Sequence, residues 1–308
     1  MSTYAVSSAR TPRTEPGGPP ITVGIDGTDE SLAAITWAAN EALLRQTTLQ
    51  MIAAVPSGTS SLAYVGAPPS YFREFIDGAR RNVSRAVAHA ESTAQEAGIA
   101  LTTSPAMQTG GPKDVLIDAS EQARMIVTGI HLKHRNVLSV VGSTSWELAG
   151  YAHCPVVVVK SEPTSHPELI PTVVVGVDGS AIADRALDMA FEEAAIRGAR
   201  LVVAHAWAGH RHDSAQDPLR EATRDADGEP SSAAISAMVA SRQAACPDLV
   251  VEQRFIDGRP ADGLAIVSAG ADLLVVGCRG RGALRSLTLG STSLHLLASV
   301  DCPLMLVH

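Results

Sequence analysis

The sequence predicts an α/β protein, a parallel sheet covered by helices, built as one domain written twice. Three observations carry this prediction. Apolar runs such as ITVGID, TVVVGVD, ADLLVVG and CPLMLVH are nearly continuous rather than alternating, as in strands buried on both faces. Helical periodicity falls between them, so that ITVGID, the face Leu32, Ile35, Ala39, Ala42 and Leu43, and then LQMIAAV follow one another in βαβ order. Finally, the landmarks recur at the start, middle and end of each half. VGIDGTDES at 23–31 is matched by VGVDGSAIA at 175–183, GGPKDVLIDASEQARMIVTG at 110–129 by GRPADGLAIVSAGADLLVVG at 258–277, and HCPVVVVK from His153 by DCPLMLVH from Asp301.

The repeat sets the expected domain limits. A flexible tail is expected over 1–19, a first domain over 20–160, a linker over 161–170 within the proline-spaced SEPTSHPELIP, and a second domain over 171–308. At 308 residues, each half is long enough to bury its own core. A net charge of −8 argues against broad nucleic-acid binding, which demands a basic face. The apolar runs are too short to cross a bilayer, and MSTYAVSSARTPRTEPGGPP lacks the apolar stretch of a signal peptide, so the expected location is the cytoplasm, away from membranes. Cys154, Cys246, Cys278 and Cys302 show no Cys-x-x-Cys spacing and read as small core hydrophobes.

In such sheets ligands bind beyond the carboxyl ends of the strands, where strand order reverses. Asp26, Asp178, Gly129 and Gly277 all belong to that end. The loop Gly277-Cys278-Arg279-Gly280-Arg281-Gly282 lets backbone amides approach a ligand, because glycine has no side chain in the way. Gly290-Ser291-Thr292 then opens a run with helical spacing, whose first turn offers free N–H groups, a positive dipole end and two hydroxyls. The combination favours a polyphosphate. Arg279, Arg281 and Arg285 either neutralise it or are solvated on a Gly/Arg surface loop. Asp178 has two readings, a cap for the following helix or a hydrogen-bond partner for ribose or the adenine edge; they are compatible if Ser180 is the cap.

Gly277-x-x-Gly280, nine residues, then Gly290-Ser291 resembles the nucleotide motif of the universal stress protein family, and VGVDGS resembles that family's first strand and aspartate. The resemblance covers nearly the whole chain, as two tandem copies. It implies a five-stranded parallel sheet of order 3-2-1-4-5 in each half, of the adenine nucleotide alpha hydrolase-like kind. The implied ligand is ATP, with or without magnesium. The implied contacts are Asp178, Ala206 at the end of the second strand, Val276, Gly277, Gly280, Arg281, Gly290, Ser291 and Thr292. In the first half the corresponding positions are Asp26, Gly129, Gly142, Ser143 and Thr144. In the resembled family the last strands lie at the sheet edge and pair between subunits, so the resemblance implies that the apolar PVVVVK and PLMLVH join the two halves in an internal pseudo-dimer, with homodimerisation and an unidentified protein partner as further associations.

The first half departs from the pattern at Leu132, which stands where the second motif glycine is expected. If that position needs positive φ, a leucine there costs on the order of 1–3 kcal/mol and its side chain enters phosphate space, so the first site is expected to be the weaker. His131, Lys133, His134 and Arg135 supply comparable positive charge.

His205, His210 and His212 in HAWAGHRHD are taken as a solvated loop after the second strand of that half, and Trp37 and Trp146 as packing residues. Neither half contains Gly-x-x-x-x-Gly-Lys-Ser/Thr or Gly-x-Ser-x-Gly. Two functions remain: an ATP-binding stress-response regulator, and a slow ATPase or adenylyl-transferring enzyme. An enzyme needs a positioned base, nucleophile or metal set near the phosphates, and the motif supplies arginines, hydroxyls and backbone.

Overall fold

The computed structural model describes residues 6–7, 18–55, 69–130, 143–160, 170–207, 232–280 and 289–308. The chain divides into two compact units, Met1–Pro163 and Thr164–His308.

The first unit runs β1 (Val6–Ser7), β2 (Ile21–Gly24), α1 (Asp29–Arg45), β3 (Leu49–Val55), α2 (Pro69–Ala97), β4 (Thr103–Thr109), α3 (Pro112–Ser120), β5 (Met125–Gly129), α4 (Ser143–Tyr151) and β6 (Val156–Val159). Its pairings are parallel, in the order β4-β3-β2-β5-β6, with β1 added outside β4. Leaving β1 aside, that is the order 3-2-1-4-5. The extra strand pairs Val6 with Met107 inside the segment expected as a tail.

The second unit runs β7 (Thr172–Gly176), α5 (Ala181–Arg197), β8 (Arg200–Trp207), α6 (Ser232–Gln243), β9 (Val251–Asp257), α7 (Pro260–Val267), β10 (Leu273–Gly277), α8 (Ser291–Ser299) and β11 (Leu304–Val307). Its order, β9-β8-β7-β10-β11, is the same 3-2-1-4-5.

The repeat is visible in the helix starts. Thr28 caps α1, its Oγ1 accepting from Ser31 N at 3.2 Å, and Ser180 caps α5, its Oγ accepting from Ala183 N at 3.2 Å. Both helices end in a left-handed residue, Gln46 with φ 51° and Gly198 with φ 59°. Burial on α1 is wider than the single face read from the sequence. Ala33, Ala34, Trp37 and Ala38 are buried along with Ile35, Ala39, Ala42 and Leu43, whereas Leu32 is only half-buried. The cause is that this alanine-rich helix packs against both the sheet and α2, where Thr36 Oγ1 and His89 Nε2 lie 2.8 Å apart. In the second unit the equivalent helices are linked by Arg242 of α6, which donates to Asp188 Oδ1 at 2.6 Å and Asp184 Oδ1 at 2.8 Å on α5.

The reading of His205 is corrected. It lies within β8, 4% exposed, with its Nδ1 donating to Val177 O at 2.7 Å and its ring edge-on to Phe255. The strand persists two residues beyond the start of the polar histidine pattern because β9 pairs along its full length, up to Trp207 with Asp257. His210 and His212 lie outside the described residues. Trp37 is buried and Trp146 half-buried. Among the described residues no group of His, Cys, Asp and Glu suits a metal ion, and no helix is long and apolar enough to cross a membrane.

Cys154, Cys278 and Cys302 are buried, but Cys246, in the turn after α6, is half-buried. Burial pushes the Cys154 thiol up to about 12. The thiolate is the reactive form, so iodoacetamide at pH 8 is expected to label Cys246 well before Cys154 in the folded protein, as peptide mass mapping over a time course checks. Equal rates would contradict the burial of Cys154.

Candidate functional site

Each unit places its aspartate in the same local structure. Asp26 follows β2 and its Oδ1 accepts from Thr28 N at 2.9 Å and Thr28 Oγ1 at 2.7 Å; Asp178 follows β7 and its Oδ1 accepts from Ser180 N at 3.0 Å. The intervening Gly27 and Gly179 have φ of 87° and 74°, the left-handed conformation that this tight turn requires. Capping and site are therefore separate tasks. Thr28 and Ser180 hold the helix starts, while Asp26 is exposed and Asp178 half-buried at the mouth of its sheet.

In the second unit the glycine motif is brought onto the aspartate. A Cβ at Gly280 would lie 2.6 Å from Asp178 Oδ2. The φ of Gly280 is outside the left-handed region, so this glycine supplies room for a carboxylate rather than the backbone strain relief considered above. Gly290 donates its N–H to Cys278 O at 2.9 Å, and a Cβ on it would lie 3.5 Å from Gly280 N, so both ends of the motif meet. Gly290 is the N-cap of α8 and provides no side-chain cap, leaving the first-turn amides beside Ser291 and Thr292 without the partner that Thr28 and Ser180 give elsewhere. Ser293, which the sequence reading did not single out, donates its hydroxyl to Gly277 O at 2.8 Å and fixes the helix start against β10. Val276 is buried in β10. Ala206 lies half-buried near the end of β8, its Cβ toward Gly263 of α7. Arg281 and Arg285 lie outside the described residues.

In the first unit a cavity of about 760 Å³ opens at the carboxyl end of the sheet. Asp26, Gly129 and Thr144 line it, with Ala54, the counterpart of Ala206. Asp26 is braced by α2: Asn82 Nδ2 donates to Asp26 O at 2.9 Å. Glu74, Phe75, Gly78, Ala79 and Asn82 of α2 form a wall of the cavity that the sequence reading missed. No motif marks them; the only available signal was that the crossover after the second strand of a 3-2-1-4-5 sheet returns past the switch point. Among the described lining residues the formal charges are the carboxylates of Asp26 and Glu74. Gly142 and the segment from His131 through Leu132 to Arg135 lie outside the described residues, as does the side chain of Ser143 at the start of α4.

A parallel sheet of order 3-2-1-4-5, present twice, with an aspartate and a glycine at each switch point, defines a tandem doubly wound α/β protein. Comparison with known proteins narrows that class. The model of the Universal stress protein family matches residues 19–160 and 170–308. The chain is 31% identical over 290 residues to a universal stress protein of Mycobacterium tuberculosis, covering 94% of this chain and 96% of the relative. It is 32% identical over 296 residues to one from Mycolicibacterium smegmatis, again over 94% and 96%. A solved universal stress protein from Archaeoglobus fulgidus has the same fold, with a TM-score of 0.65 at 18% identity over 94% of this chain and 95% of that one. The chain belongs to the universal stress protein family.

Gly129 gives a direct test of the geometry. A Cβ there would lie 2.3 Å from Glu30 O and 2.8 Å from Ser31 N, both backbone atoms of the first turn of α1. Gly129→Ala is expected to destabilise the first unit by about 2 kcal/mol or more, whereas Gly198→Ala, with open space at its Cβ but φ of 59°, costs about 1 kcal/mol. Chemical denaturation of the two variants checks the ranking; the reverse order would contradict the close approach of α1 to β5.

Proposed function

We infer that the protein is an ATP-binding stress-response regulator whose second unit holds the tighter site. The observation that carries this reading is the seating of Gly280 on the Asp178 carboxylate, with Gly290 closing the motif beside it. Asp178 then serves the ribose or the adenine edge. Gly277, Gly280 and the amides of Gly290, Ser291 and Thr292 cradle the phosphates. Arg281 adds charge, while Ala206 and Val276 border the base. The first unit repeats the arrangement with Asp26, Gly129, Gly142, Ser143 and Thr144, and its site is the weaker because Leu132 replaces the second glycine. Magnesium, where present, would accompany the phosphates. The residues at the site give ATP a binding role rather than rapid turnover. The same reading places the protein in the cytoplasm.

Calorimetric titration of ATP into the parent, Gly280→Leu and Leu132→Gly proteins tests it. One tight site is expected in the parent. Because even one methyl at 280 meets a carboxylate, Gly280→Leu should remove that site, weakening it at least about a hundredfold, or ~2.7 kcal/mol. Leu132→Gly should recover a second. Two equal tight sites in the parent would overturn the asymmetry and leave ATP binding standing, while no heat in any of the three would overturn both.

A further inference from the structure

A buried hydroxyl in the first unit has no partner within the protein. Ser31, in the first turn of α1, is 2% exposed, and its Oγ makes no hydrogen bond. The helix cap does not call for a serine here, because Thr28 Oγ1 takes the Ser31 N–H at 3.2 Å and leaves the Ser31 side chain unused. An unpaired buried hydroxyl costs stability, and the second unit avoids that cost under the same kind of cap: its counterpart residue is the buried Ala183. Ser31 lines the cavity of about 760 Å³ together with Asp26, Gly129 and Thr144. The cap joins it to the aspartate, since Thr28 Oγ1 donates to Asp26 Oδ1 at 2.7 Å, which leaves Asp26 Oδ2 without a hydrogen bond among the described residues. Polarity changes in the same sense on β5, where Thr128, also lining the cavity, stands in place of Val276 of β10.

We propose that Ser31 is a sugar-recognising residue of the first unit, its hydroxyl bonding a ribose hydroxyl of a bound adenine nucleotide, a contact that Ala183 denies the second unit. The inference rests on the nucleotide reading above and adds a specificity residue to the first site. The partner is a hydroxyl rather than a phosphate because of the charges around it: the described residues lining the cavity carry two carboxylates, Asp26 and Glu74, and no cation. A phosphate oxygen beside them is repelled, whereas a sugar hydroxyl can donate to Asp26 Oδ2 and share a hydrogen bond with Ser31. The Ser31 hydroxyl is a cost in the empty protein and is satisfied in the complex, so its contribution appears as discrimination between ligands that have and lack the matching group.

The test is calorimetric titration of the full-length Gly280→Leu protein, in which the first site alone is left, with ATP, 2′-deoxy-ATP and 3′-deoxy-ATP, alongside the same protein carrying Ser31→Ala. ATP is expected to bind at least about tenfold more tightly than one of the two deoxy analogues. Ser31→Ala should reduce that ratio at least about fivefold by weakening ATP, with the affinity for that analogue unchanged. A uniform loss for all three ligands would mark a structural residue, and unchanged affinities would mark a hydroxyl satisfied by water alone; either result overturns the inference. Thermal unfolding without ligand gives a second readout. Ser31→Ala in the otherwise unaltered protein should unfold at or above the parent's temperature, and a lower temperature would overturn the inference by showing that the protein already satisfies the hydroxyl. ATP binding by the parent but not by Gly280→Leu would overturn the inference and leave the second-unit site standing. A parent that binds no ATP would overturn the nucleotide reading and this inference with it.

Discussion

In each unit the fourth strand ends in a glycine, placed where an added side chain would meet the first turn of the first helix. Gly129 ends β5 against the backbone of Glu30 and Ser31, and Gly277 ends β10 against Ile182, the residue equivalent to Glu30. No other residue type fits at Gly129, because the obstruction is backbone and cannot move aside. With helix and strand in contact there, the aspartate turn after the first strand and the loop after the fourth open side by side at the point where strand order reverses. The position of the candidate site therefore follows from a packing distance in the sheet. The residues that face a ligand are placed by it.

Duplication supplied two copies of that frame, and the copies have since been filled differently. The first has a 29-residue α2 that walls its cavity and holds Asp26 through Asn82. In the second, Arg242 clamps α6 to Asp184 and Asp188, and Gly280 rests on Asp178. The scaffold tolerates this divergence because both units share the same strand ladders and the same capped starts of their first helices, at Thr28 and Ser180. Side chains at the mouth are free to vary while the strand order stays fixed.

Much of this was legible in the sequence, for identifiable reasons. Near-continuous apolar strands separated by helical periodicity announce a buried parallel sheet, and the repeated landmarks fix where each strand ends. The motif glycines could be found by spacing alone. What spacing cannot convey is why a glycine is needed: at Gly280 the reason is a carboxylate more than a hundred residues earlier in the chain, which only the folded structure brings near. Phe75 and Asn82 were missed for a related reason, since their part in the cavity depends on where α2 crosses the sheet. His205 was misassigned because a histidine-rich string reads as polar surface, whereas the length of a strand is set by its partner.

The outermost strands have a consequence for solubility. A third strand such as β4 or β9 has one side with no sheet neighbour from its own repeat, and bare backbone of that kind recruits other chains. The first unit occupies that side of β4 with Val6–Ser7, whose residues pair with Met107 and Gln108. The second unit relies on chemistry: β9 is mostly exposed or half-buried and carries Glu252 and Arg254 on one face, paired at 2.7 Å. Charges that satisfy each other within a strand are costly to bury under an incoming strand from another molecule. One repeat thus covers its vulnerable margin with an added strand, and the other makes the same margin unattractive to aggregate upon.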